Sequence, residues 1–104
     1  MDVSYPWELG VPPLFPRAAT LGPVAPNPVR SSAVIRYSLP IATPVSLVVH
    51  DPQGRRVATL LDRVFQDAGR QEVPVQADHL KPGVYLYRLE AGGGSATRKM
   101  VVVE

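Results

Sequence analysis

Cysteine is absent from the 104 residues, which rules out disulfide frameworks and thiolate metal sites as ways of holding the fold. Packing has to hold it alone. Only two histidines occur, and the acids are dispersed along different segments, so the converging groups that catalysis needs are scarce. His50-Asp51 and Asp78-His79 are sequence neighbours, but adjacent side chains on a strand point to opposite faces and form no relay. Both histidines read as solvated strand-end or loop residues. G-x-S-x-G, H-E-x-x-H and the P-loop are missing too, because Gly92-Gly93-Gly94 runs into Ser95-Ala96. Asp62, Asp67 and Asp78 match no spacing of an oxygen-ligand loop. The expectation is a protein without enzymatic activity, cofactor or metal.

Charge of one sign is also lacking. Eleven Lys and Arg against nine Asp and Glu leave a net charge of +2. The cations spread from Arg17 to Lys99, with only Arg55-Arg56 and Arg98-Lys99 adjacent, so no nucleic-acid-binding stripe emerges. Arg36, Arg88, Arg98 and Lys99 read as outward residues, a solvated surface by default and a weakly cationic face if the strands bring them together. No apolar run approaches the roughly 20 residues that span a bilayer, so no membrane-spanning helix is expected. The opening Met1-Asp2-Val3-Ser4 has neither the basic start nor the apolar core of a secretory signal. An exported protein would take that signal from upstream or have lost it.

Proline is plentiful, and its placement divides the chain. Seven of the twelve prolines fall within the first 28 residues, where each fixes φ, removes a donor and pushes its predecessor toward extended conformations. Residues 1–22 therefore read as a proline-rich arm or linker ahead of a domain over residues 23–104. The arm carries Trp7, Leu9, Val11, Leu14 and Phe15. Trp7 and Phe15 are candidates for docking on a partner, the alternative being contact with the chain's own sandwich.

From Ala33 onward, short β-branched and aromatic runs are punctuated by Gly, Pro and Asp, the pattern of a strand meander. Ile35, Tyr37 and Leu39 alternate with Arg36 and Ser38, which puts the apolar set on one face. Val45, Leu47 and Val49 repeat the pattern. Asp51-Pro52-Gln53-Gly54 suits a type I turn into a strand over Arg56 to Leu61. Val73 and Val75 point inward, while Pro74 marks an edge strand or a bulge. Tyr85, Tyr87 and Leu89 then alternate with Arg88 and Glu90, the glycine run makes a turn, and Thr97 to Val103 is the last strand. A short strand near Thr20 to Ala25 makes a seventh. The class is all-β, an immunoglobulin-like Greek-key sandwich. Leu80-Lys81-Pro82-Gly83-Val84-Tyr85 resembles a tyrosine corner, in which a Tyr entering a strand bonds its hydroxyl to the preceding crossover.

Asn27-Pro28, Val34 to Pro40, Asp51 to Arg55 followed by Val57 to Leu60, Ala68-Gly69-Arg70, Pro82 to Leu89 and the ending Thr97 to Val103 together resemble the C-terminal sorting domain of type IX secretion cargo. The same pattern is similar to the immunoglobulin-like domain of flagellar hook-capping proteins. The resemblance implies a non-catalytic module, exported to the periplasm or the outer cell surface and read by outer-membrane secretion machinery. An anionic surface glycolipid is a further candidate partner. Carried over residue by residue, the resemblance makes Asn27, Pro28, Gly54, Arg55, Gly69, Gly83, Tyr85 and the Lys99 to Val103 strand interaction candidates, with Arg98 beside it. The alternative is a structural or accessory subunit of an extracellular or membrane-bound assembly, docking through Trp7 and Phe15.

Overall fold

A computed structural model describes residues 19–104. Trp7 and Phe15 lie outside the described residues. Seven strands follow in order: β1 (Thr20–Leu21), β2 (Ser32–Leu39), β3 (Thr43–His50), β4 (Arg56–Gln66), β5 (Gly69–Gln76), β6 (Gly83–Ala91) and β7 (Gly94–Val102). Among the described residues there is no helix. All strand pairs are antiparallel. They form a three-stranded sheet, β1-β2-β5, and a four-stranded sheet, β4-β3-β6-β7.

The alternating residues are what join the two layers. Ile35, Tyr37, Leu39, Val73 and Val75 come from the first sheet, and Val45, Leu47, Val49, Tyr85, Tyr87, Leu89, Met100 and Val102 from the second; all are buried. Burying one such aliphatic or aromatic side chain contributes about 1.5–3 kcal/mol. A one-residue slip in any strand would turn its whole set to water, so the pattern sets register as well as stability.

Pro74 lies on β5, the outer strand of its sheet. Its partner Val34 spends both backbone groups on Ala25, giving its N–H to the Ala25 carbonyl (2.8 Å) and accepting the Ala25 N–H (3.0 Å). Val34 and Pro74 are therefore a non-hydrogen-bonded pair, and the proline's missing donor falls on the open edge where no ladder needs it.

Two segments differ from the sequence expectation. β4 continues past Leu61 to Gln66, with register shifts against β3 near Leu47 and Val49. Each bulge puts two residues opposite one, which scrambles the period-two signal through Asp62-Arg63-Val64. Arg63 sits at φ 55°, and its N–H is taken up by Ser46 Oγ at 3.1 Å. The last strand begins at Gly94, ahead of Thr97, because Gly92 (φ 59°) and Gly93 (φ 83°) alone make the turn. Two successive positive φ values give the type I′ hairpin, which glycine adopts at little cost.

Candidate functional site

The strand directions gather most of the candidates at one pole of the sandwich. The lead-in segment 27–31, the β3–β4 turn, the β5–β6 crossover and the end of β7 all meet there. The opposite pole holds the start of β1, the loop at 40–42, the bend at 67–68 and the Gly92-Gly93 turn.

At the first pole, the turn after β3 closes with the Gly54 N–H on the Asp51 carbonyl (2.9 Å) and the Asp51 N–H on the Arg55 carbonyl (2.9 Å). Gly54 at φ 88° supplies the left-handed residue that this geometry demands. The Asp51 carboxylate organises the turn. Its Oδ1 accepts the N–H groups of Gln53 (3.0 Å) and Arg55 (2.9 Å), and its Oδ2 accepts Arg55 Nε (2.8 Å). Burial alone would raise the Asp51 pKa. The backbone and side-chain hydrogen bonds and the charge of Arg55, with the Gln53 N–H, outweigh it and hold the carboxyl below its ordinary value.

Beside this turn the Tyr85 hydroxyl donates to the Lys81 carbonyl at 2.6 Å, so the tyrosine-corner bond is present. Asp51, Arg55, Val57, Leu80, Gly83 and Tyr85 line one shallow depression between turn and crossover.

The third part of the pole is the lead-in segment. Peptide bonds Ala25-Pro26 and Asn27-Pro28 are cis, and the segment then runs alongside the end of β7. The Val101 N–H donates to Asn27 Oδ1 (3.0 Å), the Val29 N–H to the Val101 carbonyl (2.7 Å), and the Val103 N–H to the Val29 carbonyl (2.8 Å). Val29 is fully buried while Pro28 is exposed. Arg30 Nη1 closes the end on the Glu104 carbonyl (2.8 Å). Asn27 and the terminal strand, far apart in sequence, are thus one structure.

Gly69 begins β5 at the opposite pole. Lys99 pairs with the exposed Leu86 on the outer face of β7. Arg98, expected to point outward, instead pairs with the buried Tyr87, and its Nη1 donates to the Leu21 carbonyl (3.3 Å) across the gap between the sheets. A single face uniting Arg36 with Arg88, Arg98 and Lys99 does not form. Arg36 is on the other sheet, paired to Glu72 at 2.8 Å, and Arg88 is engaged by Glu90 at 3.1 Å.

Three residues tie the pole and the two sheets together in roles that the sequence reading did not give them. Tyr87 is a bolt between the sheets: its hydroxyl accepts the Val24 N–H (2.8 Å) and donates to the Gly22 carbonyl (2.9 Å). Burial raises its pKa, an effect only partly offset by the Val24 hydrogen bond and by Arg98. Arg98 is the second, and alternation along β7 sets it on the face of the buried Met100 and Val102, opposite Lys99, a signal that the outward reading missed. Asp51 is the third. Its signal was available, since Asp at the first position of a turn commonly captures the backbone two residues on. Chemically, the backbone and guanidinium donors of the pole are held in place by acceptors of the same chain.

Among known proteins, a family model described as a secretion system C-terminal sorting domain matches residues 23–103. No curated protein matches the chain.

Proposed function

The chain belongs to the family of secretion system C-terminal sorting domains and carries a sorting signal for type IX secretion, and from that premise we propose that it is a non-catalytic module for export and cell-surface attachment. Outer-membrane export machinery reads it, and it delivers what it is joined to at the outer surface. The observation that carries this reading is the coincidence of the matched span, residues 23–103, with the two-sheet unit whose lead-in segment and terminal strand are hydrogen-bonded to each other. A signal that depends on both ends of the domain is presented only by the folded form, so unfolded or truncated cargo would go unread.

The strand order supports an immunoglobulin-like Greek key. β1 and Ala25 pair with β2 in one sheet, and the chain then crosses so that Val29 runs parallel to β7 in the other, and the Tyr85 corner sits where such folds carry it. Residues 1–22 are the linker in this reading, although β1 begins at Thr20, inside that span.

The test is a fusion of residues 23–104 to the C-terminus of a periplasmic reporter in a bacterium with a type IX system. Reporter accumulating at the cell surface or in the medium is expected. Reporter held quantitatively in the periplasm would overturn the proposal.

A further inference from the structure

The sheet edges are not alike. β5 turns the nitrogen of Pro74 outward, β1 is two residues long, and β4 is interrupted by register shifts. Each of these blunts an edge against pairing with another chain. β7 carries neither proline nor bulge, only the charges of Arg98 and Lys99, which discourage a cationic partner and not an acidic one, and its register with β6 is unbroken from Gly94 to Val102. Val101 spends both backbone groups on the lead-in segment and so points them away from β6. Alternation along an antiparallel strand directs the backbone groups of Lys99, Thr97 and Ser95 the same way. Among the described residues these groups have no backbone partner. Lys99 on the outer face and Arg98 on the inner one flank this stretch. Both are exposed and neither forms a salt bridge among the described residues, Arg98 giving one guanidinium N–H to the Leu21 carbonyl and keeping others for an incoming carboxylate.

We propose that the open edge of β7 from Ser95 to Lys99 receives an extended, acidic segment of the export machinery as an added strand, with its carboxylates meeting Arg98 and Lys99. The proposal rests on the sorting reading above and names what that machinery grips. Strand addition at this edge already has an intramolecular precedent in Val29, which pairs in parallel at its far end. Backbone hydrogen bonds supply adhesion in this mode, and the flanking side chains supply selectivity. A second copy of the chain is the poorer occupant, because it adds two more cations to the same short edge.

The full chain is titrated with a blocked peptide of alternating Glu and Thr and with its Lys-Thr counterpart, while amide shifts and hydrogen exchange are followed by NMR. The acidic peptide is expected to perturb and protect Ser95, Thr97 and Lys99, less so as salt rises, and the basic peptide is expected to leave them unchanged. Thr97→Pro removes an outward N–H at an edge position of the kind that Pro74 occupies, so the fold should survive while peptide affinity falls about two- to tenfold. Lys99→Glu should move the preference toward the basic peptide. Perturbation at the β4 or β5 edge instead, or none at millimolar peptide, overturns the proposal. So does a folded Thr97→Pro domain that still exports a fused reporter at the unmodified level. The unmodified fusion tells the two readings apart: its export alongside failed edge tests removes only the strand addition, and its retention removes the sorting function whatever the titration shows.

Discussion

The two poles of the sandwich are held by different means. At the pole shared by the lead-in segment, the β3–β4 turn and the chain's last residues, side chains tie backbone to backbone: Asp51 to Gln53 and Arg55, Tyr85 to Lys81, Asn27 to Val101, Arg30 to Glu104. At the other pole the turns are tight or short, and apolar side chains stand in water, with Ile41 61% and Phe65 65% exposed. Tyr37 bonding to Gln66, Gln71 bonding to the Asp67 carbonyl and a long bond from Thr43 to the Pro44 carbonyl are the side-chain ties there among the described residues. On the sorting function proposed above, a surface read by a partner gains from being ordered before the encounter, since ordering it on binding subtracts from affinity. The stitched pole has that property, and it holds Asn27, Pro28, Gly54, Arg55, Gly83 and Tyr85.

The largest expected break in this contrast comes from Asp51. Replacing it with Asn removes the charge that three donors share, so Asp51→Asn should destabilise the domain more than Tyr85→Phe, which deletes one neutral hydrogen bond. The dependence on pH is specific. The folded-state pKa lies below the unfolded value of about 3.9, so the stabilisation is complete above that value and is lost as pH falls through the depressed folded pKa. Denaturant melts of wild type and Asp51→Asn should converge as pH drops from 5 toward 2, in steps of about half a unit. A constant gap across that range would show that the carboxylate charge is not what holds the turn.

Much of this contrast could not be read before the structure. Alternation placed Ile35, Tyr37, Val49, Tyr87 and Leu89 inside because that signal is local and has period two, and the missing donor of Pro74 narrowed its place to an edge strand or a bulge. The Asp51-Gly54 turn and the Tyr85 corner were legible for the same reason: their bonds span four residues or fewer along the chain. What stayed hidden depends on contacts between distant segments. Arg98 shares the face of Met100 and Val102 by alternation alone, but its bond to the Leu21 carbonyl, 77 positions away, was not legible. Asn27 was visible as one residue of a family pattern, and its role as a cap for Val101 needs a partner 74 positions away. The extension of β4 was concealed because bulges erase the alternation used to find strands.

A smaller change sharpens the comparison at a single bond. Tyr85→Phe keeps the buried ring and deletes only the hydroxyl that reaches Lys81, so the expected cost is about 0.5–1.5 kcal/mol, the usual net worth of one hydrogen bond. Chemical denaturation should show a lower midpoint at unchanged slope. A loss above about 3 kcal/mol would mean that the ring itself has moved.

The smallest effect is expected at the other pole, where the prediction is close to zero. Phe65 opposes Pro44 near the end of β4 and is mostly in water, so Phe65→Ser removes little buried area and leaves no cavity. Surface substitutions of that kind fall within about 0.5 kcal/mol. The same exchange at a buried aromatic, such as Tyr87, would combine lost transfer energy with a void and cost several-fold more. Equal denaturation midpoints for wild type and Phe65→Ser would therefore confirm that the open pole contributes shape without cohesion. A loss above about 1 kcal/mol would mean that Phe65 is covered in the intact chain, and the contrast between a stitched pole and an open one would then collapse into a difference in what covers each.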